Sequence, residues 1–235
     1  MKTRYIIRTL CAPIAFMLAF SATAQGAFSF VSGTCTGGTG TSGTTTTISS
    51  TGADLMVAAV TFYEPSTAPS INFDTYGNTW VAETQWGGAG NANTIFYHVY
   101  SPTTGGAHAV GFTGGFGSAC IAAFSGSTSS ALDQQNGNGS ASSTTITTGS
   151  VTPTQANELV LTSFGTFTAG PYTTPSGFTL ISSAAYASGV SCGVAIAYQI
   201  QTSATADNPT WTAPTANLIS ARCQHTNRQP SPRIR

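Results

Sequence analysis

Ala53-Asp54-Leu55-Met56-Val57-Ala58-Ala59-Val60-Thr61-Phe62-Tyr63 is the apolar stretch on which the fold turns. A run this short fits a strand or a buried helix by hydrophobicity alone. Its punctuation decides between them. Gly52 and Pro65 bound the run, and Val and Thr recur inside it, which favours extended chain. A second stretch, Ala156-Asn157-Glu158-Leu159-Val160-Leu161-Thr162-Ser163-Phe164, answers it about a hundred residues later. Each carries an acidic residue near its start, and each follows a Thr-rich segment (residues 44–48 and 144–148). The pairing predicts two equivalent central strands.

Outward from these two runs the chain reads as short strands separated by Gly, Ser, Asn and Pro clusters, with no helical period. Strands are predicted at residues 27–31, 44–49, 54–63, 79–86, 94–101, 108–113 and 118–125. A second series falls at 144–148, 158–164, 178–186, 193–201, 209–212 and 217–221. Gly77-Asn78, Asn136-Gly137 and Asn138-Gly139 read as turns, and Pro171, Pro175 and Pro214 resist ladder pairing. The two series match in order. Gly77-Asn78-Thr79-Trp80-Val81 resembles Ser176-Gly177-Phe178-Thr179-Leu180, and Phe96-Tyr97-His98-Val99-Tyr100 resembles Ala197-Tyr198-Gln199-Ile200-Gln201. The period is too long for a solenoid and fits one internal duplication, with halves at about residues 44–125 and 144–221. Two such halves, each with an incomplete core, predict an all-β fold: an antiparallel β-sandwich with jelly-roll-like connections. An antiparallel barrel is the alternative.

The long apolar strand, the Gly-Asn-Thr-Trp turn, Ile95-Phe96-Tyr97, Ala119-Cys120-Ile121-Ala122-Ala123-Phe124-Ser125-Gly126 and Leu132-Asp133-Gln134 follow one another in this order. The succession resembles a group of secreted bacterial Gly/Ser/Thr-rich β-sandwich proteins without assigned activity. The resemblance covers most of residues 52–221 and implies the fold, with no catalytic residues to carry over. Where those chains continue an alternating last strand, this one departs at Arg222.

The N-terminus reads as an export signal. Lys2, Arg4 and Arg8 form a basic region, residues 10–20 are apolar, and Ala22-Thr23-Ala24 gives a small-x-small cleavage pattern before Gln25. The apolar run is shorter than the roughly 20 residues a membrane span needs, and Leu10 before Cys11 does not fit a lipoprotein box. The expectation is a signal peptide at 1–24, one sandwich domain at 25–221, and a secreted, extracellular protein with no integral membrane segment once the signal is removed.

Charged residues make up 6% of the chain, against about 25% in an ordinary protein. No Lys or Arg lies between Thr9 and Ala221. Phosphate recognition rests on those residues, so nucleic acid, nucleotides and anionic lipid are poor partners for the body. A neutral polar surface suits neutral ligands such as sugars, and it leaves little repulsion between copies.

Chemistry is sparse. Gly189-Val190-Ser191-Cys192-Gly193 fits G-x-S-x-G, but a strand rather than a helix is predicted after it, which argues against a nucleophile elbow. His98 and His108 read as sheet positions. The carboxylates Asp54, Glu64, Asp74, Glu83, Asp133, Glu158 and Asp207 read as solvated edges and turns, although a converging pair would suit glycoside hydrolysis. Asp133-Gln134-Gln135-Asn136-Gly137-Asn138 misses the EF-hand spacing, and neither metal nor cofactor is expected. Trp80 reads as core. Trp86, before Gly87-Gly88, is expected to face solvent, and Trp86 with Tyr76 forms the candidate ligand-binding pair. Of Cys35, Cys120, Cys192 and Cys223, too dispersed for zinc, Cys120 and Cys192 are paired as the expected disulfide because both fall in predicted strands.

The tail breaks the style of the chain. After Asn217-Leu218-Ile219-Ser220-Ala221, the counterpart of the strand at 118–125, residues 222–235 hold Arg222, Arg228, Arg233, Arg235, Pro230 and Pro232. They read as a disordered basic tail after a shortened last strand, as a shifted reading frame would produce. A native basic arm is the alternative. The function expected from all this is a non-enzymatic protein of the cell surface or matrix, serving adhesion or binding a neutral glycan or other cell-surface component. A self-associating structural subunit and a carbohydrate-active hydrolase are the alternatives.

Overall fold

The structure, a computed structural model, describes residues 27–63, 69–87, 92–127 and 132–226. The expected signal peptide at 1–24 and Glu64 lie outside the described residues. Among the described residues no helix is long and apolar enough to cross a membrane. The chain is all-β and antiparallel: β1 (Ser29–Gly37), β2 (Ser42–Thr44), β3 (Leu55–Tyr63), β4 (Ser70–Asp74), β5 (Val81–Ala82), β6 (Ala92–Tyr100), β7 (Val110–Thr113), β8 (Ser118–Ser125), β9 (Leu132–Thr147), β10 (Leu159–Thr166), β11 (Thr179–Ala184), β12 (Gly193–Ile200) and β13 (Thr210–Thr226).

Two five-stranded sheets form the sandwich. The first runs β1-β8-β3-β6-β5 and the second β11-β12-β10-β13-β9. Read from the β9 edge, the second sheet repeats the strand order of the first, with β3 and β10 in matching central places. Each large sheet is drawn from one consecutive stretch of the chain, residues 29–125 for the first and 132–226 for the second. Their inner faces meet through Leu55, Val57, Ala59, Phe96 and Phe124 on one side and Leu159, Leu161, Val194 and Ile196 on the other. The three-stranded sheet β2-β7-β4 covers the outer face of the first sheet, burying Met56, Ala58 and Val60 against Val110 and Phe112. Burial on both faces explains why β3 reads as one continuous apolar run rather than an alternating one.

The second sheet is covered by its own strands. The β9–β13 ladder shifts register between Thr212 and Asn217, around Pro214. It folds back there, so that Asn138 Nδ2 donates to Thr147 O (2.9 Å) and Asn136 Nδ2 to Ser150 O (3.1 Å). The returned limb lays Trp211 on Phe164, with centroids 5.6 Å apart and planes at 13°.

Several expectations are corrected here. Asn136-Gly137 and Asn138-Gly139 are strand, not turns. Their glycines serve close approach, since a β-carbon on Gly137 would come within 2.4 Å of Trp86 Cγ. β4 occupies a segment read as loop and turn. The tail is ordered through Thr226: β13 pairs Arg222 with Ser163 and Thr226 with Leu159, and it is buried throughout this stretch. Charge did not expel the strand because the opposite sheet supplies a partner. Arg222 donates to Glu83, Gln135 and Thr84 O, and its guanidinium lies 4.7 Å from the Phe96 ring centroid. Burial lowers its pKa to about 10, with Glu83 opposing the shift. Residues 227–235 lie outside the described residues.

Candidate functional site

Two constellations look catalytic and are closed. Ser50 Oγ lies 2.8 Å from His108 Nδ1, and His108 Nε2 lies 2.9 Å from Asp74 Oδ2. This is the residue set of a serine hydrolase, with the two ring nitrogens exchanged relative to the usual triad. Ser50 and His108 are fully buried. Gly105 N–H also donates to Ser50 Oγ (3.0 Å), so the hydroxyl is held as a strut. Burial alone would raise the Asp74 pKa, but hydrogen bonds from His108, Trp80 Nε1 and the backbone of Asn78 and Tyr76 hold it below the usual range. The constellation ties the segment before β3 to the β4–β5 and β6–β7 connections. No substrate atom can reach Ser50 Oγ in this arrangement.

The second constellation gathers carboxylates on the outer side of β10 and β13. His225 Nδ1 lies 3.5 Å from Glu158 Oε2, and Nε2 lies 3.6 Å from Asp207 Oδ2. Glu158 and His225 are fully buried, and Glu158 Oε2 and both ring nitrogens lack hydrogen bonds. The expectation of solvated carboxylates fails here, at Asp74 and at Glu83, whose side chain is buried and accepts from Arg222 as well as facing His98 Nδ1 at 2.8 Å. Among the described residues no group of three or more His, Cys, Asp or Glu is arranged to hold a metal ion.

Burial, then the nearby Asp133 charge, raises the Glu158 pKa from 4.5 to about 7. Burial, opposed by Asp133, lowers that of His225 from 6.5 to about 4. Native Glu158 therefore keeps a proton that the unfolded chain loses, and stability falls as pH rises from about 4.5 to 7. Native His225 lacks a proton that the unfolded chain holds, and stability rises from about pH 4 to 6.5. The two slopes oppose each other. Urea unfolding of His225→Asn across this range is expected to fall with pH more steeply than wild type. Equal slopes would refute the buried pair.

The expected ligand pair is not brought together into one site. Tyr76 packs edge-on against His108, with centroids 4.9 Å apart. Trp86 bridges to Thr94 and lies against Gly137, its Nε1 buried without a partner. It closes the edge of the sandwich, where the strand-end position predicted a solvent-facing ring. The expected Cys120–Cys192 disulfide is also corrected. Cys120 pairs with Cys35, directly opposite it across β1 and β8, and Cys192 is a buried free thiol. Its pKa is pushed up to about 12 by burial.

The open site lies at one end of the sandwich. Tyr63 ends β3, and Phe167 directly follows β10 at the matching place. Their rings meet edge-on at 5.3 Å, with Phe116 6.4 Å from Tyr63 and Tyr186 5.6 Å from Phe167. Together with Ala187, Gly189 and Ser191 they line a cleft of about 190 Å³ with no charged group in its walls. Gly189 and Ser191 belong to the G-x-S-x-G match, which continues directly into β12 and so lacks the helix of an elbow.

No protein-family model, curated protein or solved structure matches this chain.

Phe116 is the informative residue. Its φ is +52°, in the left-handed region, where a bulky side chain is strained. It is nevertheless 37% exposed at the cleft. Both of its backbone groups bind other segments: its N–H donates to Gly40 O (2.6 Å), and Cys192 N–H donates to its carbonyl (2.6 Å). Gly40 N–H in turn donates to Val190 O (3.1 Å), so the cleft is clamped by backbone bonds between the halves. Sequence reading missed all four rings, because they come from four distant segments. Gly114-Gly115-Phe116-Gly117, an aromatic residue set among glycines, was the one local signal.

Proposed function

We propose that this protein binds a neutral glycan through the aromatic cleft, as a non-enzymatic adhesion or carbohydrate-binding module of the cell surface or matrix. The observation that carries the reading is Phe116, a ring held exposed at local conformational cost beside three other rings in an uncharged cleft. Strain of this kind is characteristic of ligand clamps. Aromatic faces stack against the apolar face of a sugar ring, while Tyr63, Tyr186 and Ser191 bring hydroxyls to the same walls. At about 190 Å³ the cleft is smaller than pockets that enclose a drug-sized ligand, so one ring at most enters it.

Phe116→Gly separates binding from folding. Glycine adopts this φ without strain, so the variant is expected to unfold at an equal or higher urea concentration. It is also expected to lose about tenfold or more in affinity, as removal of a central aromatic contact does. A neutral-glycan array followed by calorimetry on the best ligand gives both readouts, and binding should be insensitive to salt. Absence of neutral-glycan binding, or affinity unchanged in both Phe116→Gly and Tyr186→Ala, would overturn the proposal.

A further inference from the structure

The chain joins the small sheet to the cleft, running on from Thr113 at the end of β7 to Phe116. Register sets Thr44, Gly111 and Phe73 in one row across β2, β7 and β4, and Ser42, Thr113 and Ser70 in the next. Phe73 is 52% exposed. It rests on Gly111, where a β-carbon would come within 2.8 Å of Phe73 Cβ. Two open grooves flank it. One of about 370 Å³ is bordered by Thr39, Ser42, Thr44 and Asn72, and the other, of about 300 Å³, by Asn78, Thr79 and Trp80.

The chain joins these grooves to the cleft. β7 leads from Gly111 to Thr113, and Gly114 N–H then donates to Thr41 O (3.0 Å) just before Phe116. The 38–42 turn thus stands between the groove, which it borders with Thr39 and Ser42, and the cleft, which it braces through Gly40. From Gly111 to Phe116 the chain reaches at most about 17 Å at ~3.4 Å a residue.

We infer that the grooves and the cleft form one strip for a linear neutral polysaccharide, with one sugar ring in the aromatic cleft and another stacked on Phe73. This inference rests on the glycan reading of the cleft. Phe73 supplies an apolar face, and Ser42, Thr44, Ser70, Asn72 and Thr113 supply uncharged donors and acceptors on either side of it. Asp74, the charged group in the groove walls, already has its oxygens committed to His108, Trp80, Tyr76 and Asn78. An extended peptide would bind instead at a free strand edge through backbone bonds. Across a sheet face those bonds are already made in the ladder, leaving hydroxyls, amides and a ring to do the recognition.

The test is calorimetry of the full chain with cellohexaose, laminarihexaose, maltohexaose, mannohexaose and xylohexaose, and with the disaccharide of each series. At least one hexasaccharide is expected to bind about tenfold or more tightly than its disaccharide, since further subsites add to one another. Phe73→Ala, at an exposed position, and Thr44→Arg, which fills the groove, should each cut that length advantage to about threefold or less. Neither should change disaccharide affinity, whereas Phe116→Gly should weaken both. A length advantage that survives Phe73→Ala and Thr44→Arg would overturn the strip and leave the cleft standing. Failure of wild type to bind any of these saccharides would overturn both.

Discussion

Arg222→Ala is expected to destabilise the protein by about 3–5 kcal/mol, the usual cost of leaving one member of a buried ion pair alone. Arg222 is fully buried between the sheets, and its loss leaves the Glu83 carboxylate, whose side chain is also almost wholly buried, without its permanent countercharge and with only the His98 Nδ1 contact as an ion-pair partner. Urea unfolding at pH 7 measures the effect, and Glu83→Ala should show a similar loss. The double variant Arg222→Met with Glu83→Leu should recover most of it, because an apolar pair of similar volume spares both desolvation costs. The result also decides how the chain ends. If β13 stopped at Ala221 and the rest were disordered, Arg222 would sit in water and its replacement would cost less than about 0.5 kcal/mol. Slow amide exchange at Gln224 to Thr226 is the companion observation.

The second large effect concerns the disulfide. Cys35 and Cys120 are 85 residues apart in sequence, and a closed loop of this size contributes between about 3 and 5 kcal/mol by restricting the unfolded chain. Cys35→Ala with Cys120→Ala should lower stability by that amount. Non-reducing peptide mapping should recover one bridged pair, Cys35 with Cys120, and free thiols at Cys192 and Cys223. A Cys120–Cys192 peptide would contradict the strand register. Burial raises the pKa of both remaining thiols, so alkylation of the native protein should be slow.

What could be read from the sequence depended on where each strand lies in the stack. β3 and β10 were legible because they are central and buried, and burial on both faces writes an apolar run into the chain. The second half of β1 and most of β9 were not legible. They lie at sheet edges, their residues are mostly Gly, Ser, Thr, Asn and Gln, and their order comes from ladder bonds that any side chain permits. Misplacing β1 had a direct consequence. A strand ending at Val31 leaves Cys35 in a loop, and strand position then points from Cys120 to Cys192 instead of to Cys35 on β1. Carboxylates were misread for a related reason. Glu83 and Glu158 are buried against Arg222 and His225, partners on β13 that become neighbours only once the sheets are assembled. The cleft fared worst. Tyr63, Phe116, Phe167 and Tyr186 share no motif, and the contact between Tyr63 and Phe167 exists because β3 and β10 end at the same rim of the sandwich.

Because one large sheet comes from residues 29–125 and the other from residues 132–226, the sandwich is a partnership between two consecutive stretches of polypeptide. No ladder of the described strands joins those two sheets. As the chain emerges during synthesis, the first sheet is complete at Ser125, yet Leu55, Val57 and Phe124 have nothing to cover them until β10 and β12 are made. During that interval the later half of a neighbouring molecule competes for the open face with the chain's own tethered half, whose effective concentration favours the monomer unless chains are crowded together. Two chains made side by side could then trade halves and leave as an interlocked dimer in which every inter-sheet contact of the monomer is kept. A chain severed in the connection between β8 and β9 would likewise remain whole until its two pieces were prised apart.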